Sequence, residues 1–318
     1  MEMGTRALRR TLVVAALLAG TVAATPAAQA ASPEEVAASS CTLAPSVGAW
    51  SAMTGASAAG ARSGPREPSG WTNPPIDEAP VTKKPFRASI PVRFHIFTDG
   101  AKGRLSETTL KQQITVMNAG FGGREGAGAD TGFTFTYAGV DYTDNASWFY
   151  DLDLGTSIER TAKAATHVGD ARTLNVWTTD GPSYLGFATF PSYYKRAPQL
   201  DGVVLDYKSF PGGAYGSNYS LGKTATHEVG HWLGLLHTFQ GACNAKGDYV
   251  EDTPSMATPT SGCPAGKDTC SAPGVDPIHN YMDYSFDSCY DQFSPGQAKR
   301  MLDQYAYFRA GGGTSVGQ

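Results

Sequence analysis

Residues 227–237 read HEVGHWLGLLH and contain three of the six histidines of this 318-residue chain, namely His227, His231 and His237. On an α-helix the first two lie four residues apart, so they share one face and are separated by about 6 Å along the axis. Both imidazoles then reach one metal ion at about 2.0–2.1 Å, which is the distance that zinc prefers. The spacing therefore predicts a zinc site on a helix.

The third histidine requires the helix to end before it. In a continuous helix His237 would lie about 15 Å along the axis from His227. Gly234 allows the helix to end, because glycine enters the left-handed conformation without a Cβ clash. The chain then brings His237 back towards the same ion. Gly230 faces away from the ligands, and we expect it to allow close packing of the helix against neighbouring backbone.

Three protein ligands leave tetrahedral zinc with one open position for water, as in catalytic rather than structural sites. The metal lowers the pKa of that water to about 7, and the neighbouring Glu228 is placed to accept its proton. We therefore expect hydrolysis of peptide bonds by metal-activated water, with Glu228 as the general base. The alternative is that the histidines only pack in the core or lie on the surface, in which case the whole pattern H-E-x-x-H-x-x-G-x-x-H arose by chance.

The first thirty residues have the pattern of a cleaved secretory signal. Three arginines precede an apolar run from Leu12 to Ala24, which is followed by Ala28-Gln29-Ala30. The run is too short to span a bilayer, and no later segment approaches the roughly 20 apolar residues that a span requires. We expect a secreted, extracellular protein with no membrane partner. Residues 31–85 are rich in Ala, Ser, Gly and Pro and predict a pro-segment or flexible leader.

Strand and helix patterns alternate after the leader. IPVRFHIF alternates in polarity from Ile90, and SETTLKQQITVMNAGF has helical spacing after a capping Ser106. Alternation continues to residue 206, which predicts a domain of the α/β (mixed α+β) class with helices packed on a twisted mixed sheet. We place this upper subdomain at 86–237.

The composition changes after His237 to Gly, Pro, Asp, Thr and Cys with little regular pattern. We therefore expect an irregular lower subdomain over 238–310, which ends in a helix that begins near Ser294 and Pro295, and a flexible tail over 311–318. The formal net charge is −4 and no basic run is present, so nucleic acid is not an expected partner.

The five cysteines of an exported chain favour disulfides over thiol chemistry. Cys243, Cys263, Cys270 and Cys289 fall within 47 residues, and four cysteines allow three connectivities. Cys41 stands alone far upstream. The sequence alone therefore predicts a disulfide-stapled lower subdomain without choosing its pairing.

Beyond the histidine motif, HNYMDYS, GDYVEDTP and FSPGQAKRM extend the pattern over most of residues 90–308. With these motifs the chain resembles the metzincin zinc endopeptidases, and within them the pappalysin family. The resemblance implies a twisted mixed sheet, an active-site helix and an irregular C-terminal subdomain. It also implies that Met282 forms the Met-turn beneath the metal and that Tyr284 stabilises the reaction intermediate. Both residues also fit ordinary packing roles.

The same resemblance implies the disulfides Cys243–Cys270 and Cys263–Cys289. It implies a structural calcium ion at the acidic loop that contains Asp248 and Asp252, for which a solvated loop without an ion is the alternative. It further implies a latent precursor. In such a precursor Cys41 is a candidate zinc ligand that is removed with the leader, and the alternative is an incidental cysteine.

Protein or peptide substrates are the partners that the resemblance implies. YLGFATFP, residues 184–191, matches an edge strand to which an extended peptide adds through main-chain hydrogen bonds. Asp287 lies in the segment after Met282 that borders the pocket next to the zinc. Its position predicts a weak preference for a basic substrate residue directly after the cleaved peptide bond. We expect a monomer.

Two competing interpretations are a secreted adhesion or inhibitor-binding module that has lost turnover and a metzincin of another branch. The retained Glu228 argues against the first, and the four-cysteine lower subdomain argues against the second.

Overall fold

The computed structural model describes residues 79–82, 86–180, 185–244 and 246–311. The predicted secretory signal, Cys41, most of the predicted leader and nearly all of the predicted tail lie outside these residues. Within the described part of the chain, no helix combines the length and the apolar character needed to cross a membrane.

A five-stranded sheet forms one layer of the described domain, and its strands are β1 (Ala88–Thr98), β2 (Phe133–Asp144), β3 (Leu174–Thr179), β4 (Gly186–Ala188) and β5 (Val203–Asp206). The order across the sheet is β2-β1-β3-β5-β4. Neighbouring strands are parallel except for β4, which pairs antiparallel with β5 at the end of this order. The predicted mixed α/β fold is confirmed, and the short strand of the YLGFATFP segment lies at the edge of the sheet.

Six α-helices are present among the described residues, and they are α1 (Glu107–Phe121), α2 (Ala146–Asp151), α3 (Ser157–Thr166), α4 (Gly216–Tyr219), α5 (Lys223–Trp232) and α6 (Pro295–Phe308). The predicted caps are confirmed. The Ser106 side chain accepts from the Thr109 amide, and Ser294 forms a capping box with Gln297. Helices α2 and α4 were not predicted, because segments of six and four residues are too short to show a helical period.

The core explains why these elements pack as they do. Ile90, Val92 and Phe94 alternate along β1 and are fully buried, as the period of two requires. Helix α5 packs against α1 and against the strands β4 and β5. Every residue of α5 is buried, so the helix that carries the first two histidines has no face directed to solvent. Burial on all sides fixes its position relative to the sheet.

A buried ion pair connects Arg309, directly after α6, to Asp201, which precedes β5. Arg309 donates from Nη1 and Nη2 to the two carboxylate oxygens of Asp201 at 2.8 and 3.0 Å, and both side chains have 0% exposure. Asp201 also accepts from the Thr189 hydroxyl at 2.9 Å and from Nε1 of Trp232 at 3.0 Å. One carboxylate therefore joins the end of β4, the end of α5 and the C-terminal segment.

We expect Asp201→Ala to lower the free energy of unfolding by about 3–5 kcal/mol, because the substitution leaves the Arg309 charge buried without its partner. Urea unfolding of the purified domain measures this change. The matched control is Glu107→Ala, which removes an exposed ion pair with Lys111 and should have a much smaller effect. Equal changes in the free energy of unfolding would show that the buried ion pair stabilises the fold no more than the exposed one.

The region between α5 and α6 is irregular and is held by two disulfides. Cys243 pairs with Cys270, and Cys263 pairs with Cys289, at S–S distances of 2.05 and 2.02 Å. This is the pairing that the family resemblance implies. The disulfides compensate for the absence of regular hydrogen-bonded elements among the described residues of this region.

Candidate metal centre

The active-site helix α5 begins at a glycine and is capped by a distant side chain. Gly222 precedes the helix with φ +86° and offers no capping side chain. Instead, Oδ2 of Asp287 accepts from the amides of Leu221 and Lys223 at 2.8 and 3.3 Å. Asp287 is 2% exposed, and burial raises its pKa to about 7. Its predicted role in substrate preference stays a prediction, whereas the structure shows it as the cap of this helix.

The end of α5 agrees with the sequence analysis. The helix stops at Trp232, and Gly234 has φ +98°, the left-handed region that favours glycine. The Gly234 amide donates to the His231 carbonyl at 2.8 Å, and the Leu235 amide donates to the Gly230 carbonyl at 2.9 Å. These two bonds form a glycine-ended helix terminus, which turns the chain towards His237.

Gly230 corrects one detail of the prediction. A Cβ atom at this position would lie 2.5 Å from Sδ of Met282. The glycine therefore makes room for the Met282 side chain rather than for neighbouring backbone. The methionine thus packs directly against the helix that carries the histidines, as the predicted Met-turn requires.

The three histidine side chains converge on one point. Nε2 of His231 lies 3.1 Å from Nε2 of His227 and 3.1 Å from Nε2 of His237. Nδ1 of His227 donates to the Tyr281 carbonyl at 2.6 Å, and Nδ1 of His231 donates to the Leu235 carbonyl at 2.8 Å. These bonds place the ring protons of His227 and His231 on Nδ1, so their unprotonated Nε2 atoms face each other.

Such a convergence of lone pairs is repulsive without a cation between them. All three rings are buried, and burial lowers the pKa of His227 to about 4, so this ring is neutral at neutral pH. Neutral imidazoles with fixed Nδ1 protons are the form in which histidine binds a metal. The donor set therefore fits a divalent ion that accepts three nitrogen ligands.

Glu228 follows His227 on helix α5 and is 4% exposed. Its Oε2 atom is buried and has no hydrogen-bond partner among the described residues, and burial raises its pKa well above the usual range of a carboxyl group. A buried oxygen without a hydrogen-bond partner is costly, and a water molecule bound at the site would supply one. Gly186 of β4 packs against Glu228, because a Cβ atom there would lie 3.0 Å from Cγ of Glu228.

Three aromatic rings border the cluster, and one of them is Phe190, whose centroid lies 5.5 Å from that of His231. The Tyr284 ring centroid lies 4.9 Å from that of His237 and 5.7 Å from that of His227. Phe239 stacks on His237 with 4.6 Å between centroids and an interplanar angle of 9°. Phe239 was not predicted to belong to the site, although an aromatic residue two positions after the last histidine was a usable signal.

The candidate calcium residues differ in their surroundings. Asp248 is buried with its carboxylate bonded to the Thr253 hydroxyl at 2.7 and 2.8 Å, and burial raises its pKa to about 6. The Asp252 carboxylate instead accepts from the Ser294 hydroxyl and the Gly296 amide at the start of α6. The Asp248 carboxylate is thus bonded to a side-chain hydroxyl, whereas the Asp252 carboxylate binds the start of a helix. The calcium site stays a prediction.

Comparisons with known proteins agree with this geometry. Residues 167–306 match the model of the M43 peptidase family, described as pregnancy-associated plasma protein-A. An extracellular metalloprotease of Pyricularia oryzae is 46% identical over 218 residues, which are 67% of this chain and 72% of that protein.

Two solved structures of Tannerella forsythia proteins have similar folds. A promirolysin mutant shares 28% identity at a TM-score of 0.62 and covers 71% of this chain and 82% of its own. Mature mirolysin in complex with a cleaved peptide shares 27% identity at a TM-score of 0.58. The match covers 71% of this chain and 98% of the mirolysin chain.

Proposed function

Because this chain belongs to the M43, or pappalysin, family of metalloendopeptidases, we propose that it is a secreted zinc-dependent endopeptidase whose general base is Glu228. The observation that carries the proposal is the convergence of three Nε2 atoms, two of them on the helix that also carries Glu228, whose buried Oε2 atom has no hydrogen-bond partner among the described residues. The extracellular relative supports secretion, and proteins or peptides are the proposed substrates.

His227, His231 and His237 are the proposed zinc ligands, and Met282 packs beneath them. When bound, the metal supplies a water molecule of lowered pKa and polarises the substrate carbonyl. The Nδ1 bonds of the first two histidines to backbone carbonyls orient their rings. Three imidazole ligands would leave a zinc ion free to bind a water molecule.

The residues of the chain then perform the proton transfers. Glu228 accepts the proton of the attacking water and later delivers it to the leaving amine. An extended peptide pairs with the edge strand β4 through main-chain hydrogen bonds. Because Gly186 of this strand packs against Glu228, a peptide on the strand lies beside the base. The Tyr284 hydroxyl donates a hydrogen bond to the developing oxyanion.

Digestion of an unbiased peptide library by the purified secreted protein tests the proposal. We expect internal cleavage of many peptides, and we expect a zinc chelator to prevent it. Mass spectrometry of the new termini reports the cleavage sites and any preference for a basic residue after the cut. A protein that retains zinc and leaves every peptide intact would favour the alternative of a binding module.

We expect Tyr284→Phe to lower kcat with little change in KM, because the hydroxyl acts on the transition state and not on the bound substrate. Loss of one oxyanion donor costs on the order of 10²–10³ in kcat. The aromatic packing against His237 and Phe239 is kept by the substitution, so zinc content should not change. Steady-state kinetics on a peptide cleaved by the wild type give the result. A wild-type kcat would assign Tyr284 a packing role only.

Two further parts of the proposal are a latent precursor and a structural calcium ion. The similarity to a promirolysin supports synthesis as a precursor, in which Cys41 is the candidate silencing ligand. Asp248 and Asp252 are the candidate ligands of a structural calcium ion. The monomeric state stays a prediction.

A further inference from the structure

The turn after helix α5 positions two of the three histidines. Nδ1 of His231 donates to the Leu235 carbonyl, and His237 follows Leu235 by two residues. A shift of the turn therefore moves His231 through its hydrogen bond and His237 through the chain. Contacts that fix this turn also fix the geometry of the metal site.

The hydrogen bonds within the turn satisfy only some of its backbone carbonyls. Its two internal hydrogen bonds use the carbonyls of Gly230 and His231. The carbonyls of Trp232 and Gly234 take no part in these two bonds, and both residues are buried. A buried carbonyl that lacks a donor is costly, so these two carbonyls need donors from another part of the fold.

Two arginines of the C-terminal segment supply these donors. Arg300 of helix α6 donates from Nε to the Gly234 carbonyl at 2.9 Å. Arg309, which follows α6, donates from Nε and Nη2 to the Trp232 carbonyl at 3.2 and 3.0 Å. Its guanidinium group also lies 3.5 Å from the centroid of the Trp232 ring. Positive charge at the C-terminal end of a helix further complements the helix dipole.

The same face of α6 packs closely on the turn. A Cβ atom at Gly234 would lie 2.6 Å from Cγ of Gln304, which lies four residues after Arg300 and therefore on the same side of α6. Arg300 and Arg309 are both buried, so their hydrogen bonds to the turn are shielded from water. The C-terminal helix α6 thus supports the turn that lies between His231 and His237.

We propose that Arg300 and Arg309 are positioning residues for the metal site, which hold the turn after α5 and thereby set how firmly the last two histidines bind the metal. This inference rests on the proposed function, because it takes the histidines to be zinc ligands. Neither arginine contacts the metal or the substrate in this role. Loss of comparable supporting contacts typically lowers metal affinity roughly 10- to 100-fold.

Arg300→Gln is the main test, because Arg309 also belongs to the buried ion pair with Asp201. We expect the substitution to raise the zinc dissociation constant roughly 10- to 100-fold in competition with a chelator. The visible absorption spectrum of the cobalt-substituted protein should change as the ligand geometry loosens, and Arg300→Lys should recover part of the affinity. The matched control is Lys299→Gln on the same helix, because the Lys299 side chain is 56% exposed. The zinc affinity of this variant should equal that of the wild type.

Thermal unfolding of the metal-free proteins separates positioning from general stability. An Arg300→Gln protein with the wild-type zinc dissociation constant and cobalt spectrum would overturn the inference, even if it unfolded at a lower temperature. A wild-type chain that binds no zinc would contradict the proposed function instead. If Arg300→Gln does not fold, Arg309→Lys is judged by the same two measurements, because it loses the paired donors to Trp232 and keeps the positive charge beside Asp201.

Discussion

Glu228→Gln is expected to lower kcat by roughly 10²- to 10⁴-fold, the usual contribution of a general base. The amide has the size of the carboxylate but cannot accept a proton from water at neutral pH. Because Glu228 is not a proposed zinc ligand and the histidines keep their backbone partners, the zinc content should stay at one ion per chain. Steady-state cleavage of a fluorogenic peptide, with metal analysis of the same sample, gives both quantities.

The control for this substitution is Glu251→Gln, which removes the same charge from an exposed position. It should leave kcat unchanged. If Glu228→Gln turned over substrate at the wild-type rate, the carboxylate would have no part in the proton transfer, and another base would have to be found.

His231→Ala is expected to abolish both zinc binding and activity. His231 is the central one of the three proposed ligands, because its Nε2 lies 3.1 Å from the Nε2 atoms of both other histidines. Its loss leaves two imidazoles and releases the hydrogen bond to Leu235 that joins the helix to the turn. Zinc with two protein ligands is held too weakly to remain through dialysis, so activity should fall to background.

Metal removal from the wild type should give the same loss, and added zinc should restore activity only in the wild type. His167→Asn serves as the control, because this histidine is half-buried beside Trp177 and belongs to no described cluster of potential metal ligands. It should retain zinc and turnover. Full activity of His231→Ala after dialysis would remove the metal from the mechanism.

The sequence predicted the helix and turn of the site because their chemistry is local. His227, His231 and Gly234 lie within eight residues, so helical periodicity and the freedom of glycine determine their arrangement. The strands and long helices were predictable for the same reason, since alternation and capping residues are read within about ten positions. The disulfide pairing was not local and came from the family resemblance.

Other parts of the site depend on contacts between distant segments. Asp201 and Arg309 lie 108 residues apart and Asp287 caps a helix more than 60 residues before it, and no period in the sequence relates such positions. Asp287, from which a weak preference for a basic residue after the cleaved bond was predicted, is buried with its carboxylate on the amides at the start of α5, and that preference stays a prediction. Likewise, the contact of Gly186 with Glu228 follows only once β4 is placed beside α5.

X-ray absorption at the zinc edge of the purified mature protein tests the central claim most directly. We expect one zinc per chain with three imidazole nitrogens and one oxygen at about 2.0–2.1 Å. A first shell that contains sulfur, or fewer than three imidazole nitrogens, would contradict it.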